Sequence, residues 1–278
     1  MPNGPLMAQS RAVDQTGAVT SSPTPEEVAA FVEMNVVPPR REQPRLADAL
    51  ASVERHMVSS RQGSVAAWRV GDGPAVLLVH GYADDHSLWS MLMDTLIARG
   101  RPFVALDLPG HGFSEGRWGL RETTVDGVLA VAEALGPVDG AVSHSAGSGP
   151  LLQALDEGME VHRLVFIAPP FGGSDFWVRH GERHGASAEL VEAARAAYEA
   201  AVGRERAAFD WQEMFLALDQ EILVVHSVDD ERFDVTDTAE FVNRYPQVRL
   251  VTVDGLSHRR TARDPRAVEV VADFVCRS

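Results

Sequence analysis

Residues 143–149 read Ser-His-Ser-Ala-Gly-Ser-Gly and lie between an apolar run and a helix-like segment. A serine on a tight strand-to-helix turn is held in a strained backbone conformation, with its hydroxyl pushed out beyond the end of the sheet. Small residues must stand two positions before and after it, because larger ones would collide with the neighbouring strand and helix. Gly147 meets this need after Ser145, and Ser143 stands where the usual G-x-S-x-G pattern has glycine. The stretch therefore predicts a nucleophile elbow, with Ser145 as the nucleophile.

Four further motifs are separated along the chain. Residues 75–81, Ala-Val-Leu-Leu-Val-His-Gly, predict a buried strand that ends in a His-Gly turn, and residues 107–116 read Asp-Leu-Pro-Gly-His-Gly-Phe-Ser-Glu-Gly. Residues 222–230, Ile-Leu-Val-Val-His-Ser-Val-Asp-Asp, and residues 254–258, Asp-Gly-Leu-Ser-His, follow the serine. This order of motifs resembles the α/β-hydrolase superfamily, in its serine-nucleophile, esterase- and lipase-like branch, over roughly residues 60–276. The order serine, acid, histidine is also typical of that fold.

The resemblance implies a Ser-Asp-His triad. An ester carbonyl reacts poorly with a neutral hydroxyl, so a base must take the proton of Ser145, and His258 stands in the loop where the family has its histidine. A carboxylate must orient the imidazole and balance its developing charge. The family pattern H-G-x-x-D aligns with residues 226–230 and selects Asp230, with the adjacent Asp229 as the alternative.

The resemblance also implies where the oxyanion of the reaction is stabilised. Donors must point at the oxyanion before the reaction, because reorganising water during the step is costly. By position, these donors are the backbone amides of Ala146, which starts a helix, and of Tyr82, which follows the His-Gly turn. His80 is expected to be a hydrogen-bonding residue of that turn rather than a catalyst.

Strand and helix patterns alternate from Ser64 onward, which indicates a mostly parallel sheet covered by helices on both faces. The predicted fold class is therefore α/β, an α/β-hydrolase fold with a small helical cap. Predicted strands cover residues 64–70, 75–80, 102–107, 138–143, 162–168, 221–227 and 247–253. Predicted helices cover residues 86–99, 121–135, 146–157, 237–244 and 265–276.

The chain divides into four predicted parts. Residues 1–24 are expected to be a mobile tail, and residues 25–59 a helical extension. In that extension, Thr-Pro-Glu-Glu at 24–27 starts one helix, and the apolar spacing of residues 46–58 predicts a second. Residues 60–170 and 221–278 form the predicted core, and residues 171–220 the predicted cap.

The cap segment interrupts the alternation and contains helical patterns near residues 187–202 and 205–218. Its aromatic residues are expected either to line an apolar pocket or to attach the cap to the core. The candidate pocket residues are Tyr82, His144, Phe171, Phe176, Trp177, Phe209, Trp211 and Phe215. His180 and His184 have the spacing of a metal pair, but the glycines at 181 and 185 argue against a helix there, and no metal or cofactor is expected.

The composition of the chain argues against some kinds of binding partner and some cellular locations. The net charge of −15 argues against a nucleic-acid surface, and the single cysteine, Cys276, excludes an intramolecular disulfide. No apolar stretch approaches the length of a membrane span, and the N-terminal residues lack the layout of a signal peptide. We therefore expect a cytoplasmic protein, a small-molecule substrate and the possibility of a homodimer through the N-terminal helices.

The function that these residues favour is hydrolysis of carboxylic esters of small to medium apolar substrates through an acyl-enzyme. Acyltransferase, thioesterase, lactonase and C–C bond hydrolase activities use the same triad, and the sequence does not separate them. A protein of this fold that binds a ligand without catalysis is the alternative from a different class.

Overall fold

The computed structural model describes residues 22–39, 46–171, 176–202 and 211–277. These residues form two compact units. One contains residues 22–35 and 176–202, and the other contains the remaining described residues. The predicted tail therefore lies outside the described residues except for residues 22–24, and so do residues 172–175 and 203–210 of the predicted cap.

The larger unit is built on one eight-stranded sheet in the order β1-β2-β4-β3-β5-β6-β7-β8. Its strands are β1 (His56–Ser60), β2 (Gly63–Val70), β3 (Ala75–Val79), β4 (Phe103–Leu106), β5 (Val138–His144), β6 (Arg163–Ile167), β7 (Glu221–Ser227) and β8 (Val248–Val253). β2 pairs antiparallel with β1 and β4, and all the other pairs are parallel. The predicted α/β class and mostly parallel sheet are confirmed.

Helices cover both faces of this sheet. The α-helices of the described residues are α1 (Pro25–Val36), α2 (Ser90–Ala98), α3 (Arg121–Leu135), α4 (Ser148–Asp156), α5 (Phe176–His184), α6 (Ala188–Val202), α7 (Trp211–Leu216), α8 (Val235–Val242), α9 (His258–Thr261) and α10 (Pro265–Val275). Successive residues of β3 point to opposite faces, so Leu78 packs in a core with α2 and α10, while Leu77 packs in a second core with α3, α4 and α8. Burial on both faces explains why the central strands read as unbroken apolar runs.

The second helix predicted for residues 46–58 is wrong. The structure has a short 3-10 turn at Asp48–Leu50 and then β1, an edge strand whose hairpin partner is β2. The hairpin turn is closed by Ser60, whose hydroxyl donates to the carbonyl of Gly63 at 2.7 Å and accepts from the amide of Gln62 at 3.2 Å. Gly63 has a φ of 109°, which glycine adopts without strain. The hydrogen bonds to β2 thus override an apolar spacing that resembled a helix, and Met57 is left 47% exposed.

The smaller unit groups α1 with α5 and α6, whereas the sequence placed α1 in a separate N-terminal extension. α5 forms despite its glycine, contrary to expectation. The packing of α5 on α6 favours glycine at position 181, since a Cβ atom there would lie 2.4 Å from the side chain of Val191. The imidazole Nδ1 of His180 lies 2.7 Å from the side-chain oxygen of Asn35 on α1. Gly181 and His180 thus hold this unit together by close packing and a hydrogen bond. Within the described residues, no helix is long and apolar enough to cross a membrane.

Asp107, which directly follows β4, organises the loop after that strand. Its buried carboxylate accepts hydrogen bonds from the backbone amide of His86 at 2.7 Å, from the imidazole Nδ1 of His86 at 2.8 Å and from the amide of Phe113 at 2.8 Å. The other imidazole nitrogen of His86 accepts from the amide of Ala47 at 3.3 Å. The carboxylate of Asp107 and the imidazole of His86 thus together connect three segments of the chain, around Ala47, His86 and Asp107.

We predict that Asp107→Ala lowers the free energy of unfolding by about 2 to 4 kcal/mol, because it leaves buried donors without an acceptor. Urea unfolding followed by circular dichroism measures this change. Asp94→Ala removes an exposed carboxylate on α2 and is the matched control, with an expected change within about 0.5 kcal/mol. Equal stabilities of the two variants would contradict the role of Asp107.

Candidate active site

Ser145 lies on a sharp turn between β5 and α4. Its φ is 52°, a left-handed conformation that costs free energy in a residue with a side chain. Gly147 is required by the same turn, since a Cβ atom there would lie 2.3 Å from the carbonyl oxygen of His80. Gly81 is required on the other side, because a Cβ atom there would lie 3.0 Å from the Cβ of Ser145. The chain thus has glycine at the two places where it passes closest to the turn.

Ser143 occupies the position where glycine is usual. It is fully buried, and its hydroxyl oxygen lies 3.1 Å from the hydroxyl oxygen of Ser148. A buried hydroxyl without a hydrogen bond would be destabilising, so the second serine removes the penalty. The departure from the usual pattern is therefore compensated within the turn itself.

The structure brings Ser145, His258 and Asp230 together, at the ends of β5, β8 and β7 respectively. The imidazole Nε2 of His258 lies 2.7 Å from the hydroxyl oxygen of Ser145, and its Nδ1 lies 2.7 Å from Oδ2 of Asp230. The carboxylate can only accept, so Nδ1 of the imidazole carries the proton and Nε2 is free to accept the proton of the serine. Ser145 is 9% exposed and His258 is 3% exposed, so water is largely excluded from the contact.

The surroundings of Asp230 keep its carboxylate ionised. Its Oδ1 accepts from the backbone amides of Arg232 at 2.8 Å and Phe233 at 3.1 Å, and its Oδ2 lies 3.2 Å from Nε2 of His226. Burial by itself raises the pKa of Asp230, but the hydrogen bonds from His226, His258 and the amide of Arg232 outweigh burial and hold the pKa well below its usual value. A negative charge is therefore present next to His258 throughout the neutral range.

Asp229, the alternative acid, has a different partner. Its Oδ2 accepts from the backbone amide of Gly255 at 2.6 Å, in the loop that leads to His258. The imidazole of His258 contacts Asp230 instead. The geometry thus favours Asp230 as the partner of the histidine and gives Asp229 a structural contact.

Two further side chains hold the main chain of His258, and the sequence motifs did not identify either contact. Glu231 accepts from the backbone amide of His258 at 2.9 Å, and Nε2 of His144 lies 3.3 Å from its carbonyl oxygen. His226, the additional partner of Asp230, was also missed. The place of these residues in the sequence could have indicated them, because His144 and Glu231 are the chain neighbours of Ser145 and Asp230, and His226 lies four residues before Asp230.

His144 was expected to line a pocket, but it is buried beside the imidazole of His258, with the two rings 4.9 Å apart. Burial and the positive charge that His258 can carry lower the pKa of His144 to about 3. The ring is therefore neutral at pH 7, and its Nε2–H donates to the carbonyl of His258. Its Nδ1 lies 3.9 Å from the carboxylate of Asp84, which is paired with the guanidinium of Arg259.

The turn at residues 80–84 lies against the serine. Nε2 of His80 accepts from the amide of Leu108 at 2.9 Å, which fits the structural role expected for it. The amide of Ala83, at a φ of 62°, donates to Nε2 of His111 at 3.2 Å. Tyr82 donates its hydroxyl to the carbonyl of Val37 at 3.1 Å, and burial raises the pKa of Tyr82 to about 12. The loop that carries the Tyr82 amide is thus fixed by neighbouring segments.

The predicted aromatic pocket residues fall into separate groups. Phe171 is 1% exposed and packs in the core of the larger unit, with its ring 4.9 Å from those of Phe215 and Phe241, so it does not form an open pocket wall. Phe176 and Trp177 lie on α5 in the smaller unit, where Trp177 packs against Tyr198. Phe209 and the side chain of Trp211 lie outside the described residues. Within the described ranges, no group of three or more His, Cys, Asp or Glu side chains is arranged to hold a metal ion.

Comparison with known proteins agrees with this fold. Residues 74–258 match the family model described as alpha/beta hydrolase fold. Because this match covers more than half of the chain, the protein belongs to the α/β-hydrolase fold family.

Solved structures of similar fold include three bacterial and archaeal esterases. An esterase from Pyrococcus furiosus is 17% identical, with a TM-score of 0.67 and coverage of 86% of this chain and 97% of that one. A thermophilic esterase from Thermogutta terrifontis is 18% identical, with a TM-score of 0.62 and coverage of 80% and 98%. A carboxylesterase from Bacillus subtilis is 16% identical, with a TM-score of 0.61 and coverage of 90% and 99%. At these identities the likeness concerns the fold.

The buried, neutral His144 predicts a pH dependence of stability. As the pH falls below 6.5, His144 takes up a proton in the unfolded chain but not in the folded protein, so stability is lost on acidification. His144→Gln keeps a donor for the His258 carbonyl and removes the titration. Between pH 7 and pH 5 the wild type should therefore lose about 2 kcal/mol more than this variant.

Urea unfolding at the two pH values measures the difference. His162→Gln, which replaces an exposed histidine, is the control and should keep the pH dependence of the wild type. An unchanged pH dependence in His144→Gln would show that His144 titrates alike in the folded and unfolded states.

Proposed function

We propose that the protein is a serine hydrolase that cleaves carboxylic esters of small to medium apolar substrates through an acyl-enzyme. The observation that carries the proposal is the continuous chain of hydrogen bonds from Ser145 through His258 to the ionised Asp230, with 2.7 Å at each contact. The lowered pKa of Asp230 supports the proposal, because the acid must be ionised to orient the imidazole. The similar structures described above are those of two esterases and a carboxylesterase, which supports the same choice of substrate class.

The reaction proceeds in two halves. Ser145 Oγ attacks the ester carbonyl carbon while Nε2 of His258 takes the hydroxyl proton, and Asp230 balances the charge of the imidazolium. The C–O bond to the alcohol then breaks, and His258 returns the proton to the leaving oxygen. In the second half, water gives its proton to His258 and attacks the acyl carbon. The acid is released, and the proton returns to Ser145.

The carbonyl oxygen that becomes negative in each half needs donors close to Ser145. The backbone amide of Ala146 is the first in this proposal, because it directly follows the serine at the start of the segment that leads into α4. The amide of Tyr82 is the second, since Gly81 packs against the Cβ of Ser145. Main-chain donors held by a rigid turn are already oriented when the charge develops.

The assignment of substrate size to residues 171–220, the predicted cap, and to aromatic residues such as Phe176 and Trp177 remains a prediction from the sequence. A cytoplasmic location and a homodimer through the N-terminal helices remain predictions from the sequence.

The first test is labelling with a fluorophosphonate probe, followed by intact-mass measurement. The wild type should gain one adduct, and Ser145→Ala should gain none, because the probe reacts only with an activated serine. Ser59→Ala is the matched control, since it removes the hydroxyl of an exposed serine on β1, and it should still be labelled. An unlabelled but folded wild type would contradict the proposal.

The second test separates the two adjacent acids. Asp230→Asn should lower kcat for a p-nitrophenyl ester by about 10⁴-fold, because the imidazole loses the acceptor that fixes its tautomer. Asp229→Asn should keep most of the turnover, since Asp229 contacts the amide of Gly255. A larger loss in Asp229→Asn than in Asp230→Asn would make Asp229 the catalytic acid.

A further inference from the structure

The peptide groups on either side of His258 are held by the chain neighbours of the other two triad residues. Glu231, which follows Asp230, accepts from the His258 amide at 2.9 Å. His144, which precedes Ser145, has its Nε2 at 3.3 Å from the His258 carbonyl oxygen. The loops of the acid and of the nucleophile thus both contact the backbone of the histidine, in addition to the two contacts with its imidazole.

Three successive carboxylates face the loop that carries the histidine. Asp229 accepts from the amide of Gly255, Asp230 from the imidazole of His258, and Glu231 from the amide of His258. Three adjacent negative charges repel one another, and here each one is compensated by a donor from the same short loop. The amide of His258 also lowers the pKa of Glu231, so the carboxylate is an acceptor at neutral pH.

The other restraints on this loop act mainly on residues around His258, because Leu256 and Ala262 are buried and Arg259 pairs with Asp84. Gly255 has a φ of 71°, a conformation that glycine leaves easily, and α9, which starts at His258, is only four residues long. A tilt of this backbone would move Nε2 away from the hydroxyl of Ser145. A misplacement of about 1 Å between reacting groups can lower a rate by about 100-fold.

We propose that Glu231 is a positioning residue, which holds the backbone of His258 so that Nε2 stays in hydrogen-bond contact with Ser145. This inference rests on the proposed function. Glu231 acts through its carboxylate oxygen as an acceptor, and an uncharged acceptor of the same length can replace it. His144 restrains the same residue from the opposite end.

The test compares Glu231→Ala, Glu231→Gln and Glu240→Ala. Glu240 is an exposed glutamate on α8, so its removal changes the net charge equally without touching the histidine loop. For each variant, the rate constant of fluorophosphonate labelling at Ser145, the kcat and KM for a p-nitrophenyl ester and the Tm are measured. Glu231→Ala should lower the labelling rate and kcat by about tenfold, with KM unchanged, because the geometry of proton transfer is altered and substrate binding is not.

Glu231→Gln should restore most of the loss, since its amide oxygen can accept from the same backbone amide. Glu240→Ala should behave as the wild type. Wild-type rates in Glu231→Ala, or rates in Glu231→Gln as low as in Glu231→Ala, would each overturn the positioning role. A wild type that is folded but unlabelled at Ser145 would instead refute the proposed function, so the two failures are distinguishable.

Discussion

Ser145 is held at a φ of 52°, and the rest of the site depends on this conformation. A side-chain-bearing residue there costs about 1–3 kcal/mol, so the surrounding structure must enforce it. Gly147 and Gly81 let the chain pack closely around the turn, and the buried hydroxyls of Ser143 and Ser148 are hydrogen-bonded to each other beside it. This conformation directs the serine hydroxyl from the end of β5 toward His258. A regular strand or helix conformation would direct the hydroxyl away from the histidine.

The second requirement of the site is an ionised carboxylate at a position that is shielded from water. Asp230 is ionised in a buried position because two amides and two imidazoles donate to it, and this fixed charge orients His258. The neutral His144 contributes a hydrogen bond to the same histidine without adding a competing positive charge. The triad therefore combines one anion, one base and one hydroxyl, and His144 beside it is a neutral donor.

The parts of this structure that sequence predicts well are those set by local rules. The geometry of a single segment determines where glycines flank a serine, where short apolar runs occur and where turns follow strands. The sequence therefore predicts the strands from β2 onward and the segments that carry Ser145, Asp230 and His258. β1 could not, because its strand conformation comes from pairing with β2, and its apolar spacing fitted a helix. The contacts of Glu231 and His144 with His258, and the packing of Phe171 against Phe215 and Phe241, also depend on segments far apart in the chain. Periodicity carries no information about such contacts.

The most direct test of the central claim is a crystal structure of the protein after reaction with a phosphonate inhibitor. The account predicts a covalent bond from Ser145 Oγ to phosphorus, with Nε2 of His258 still beside that oxygen. It also predicts the phosphoryl oxygen within hydrogen-bond distance of the amides of Tyr82 and Ala146. An adduct on another residue, or a phosphoryl oxygen directed away from both amides, would contradict the account.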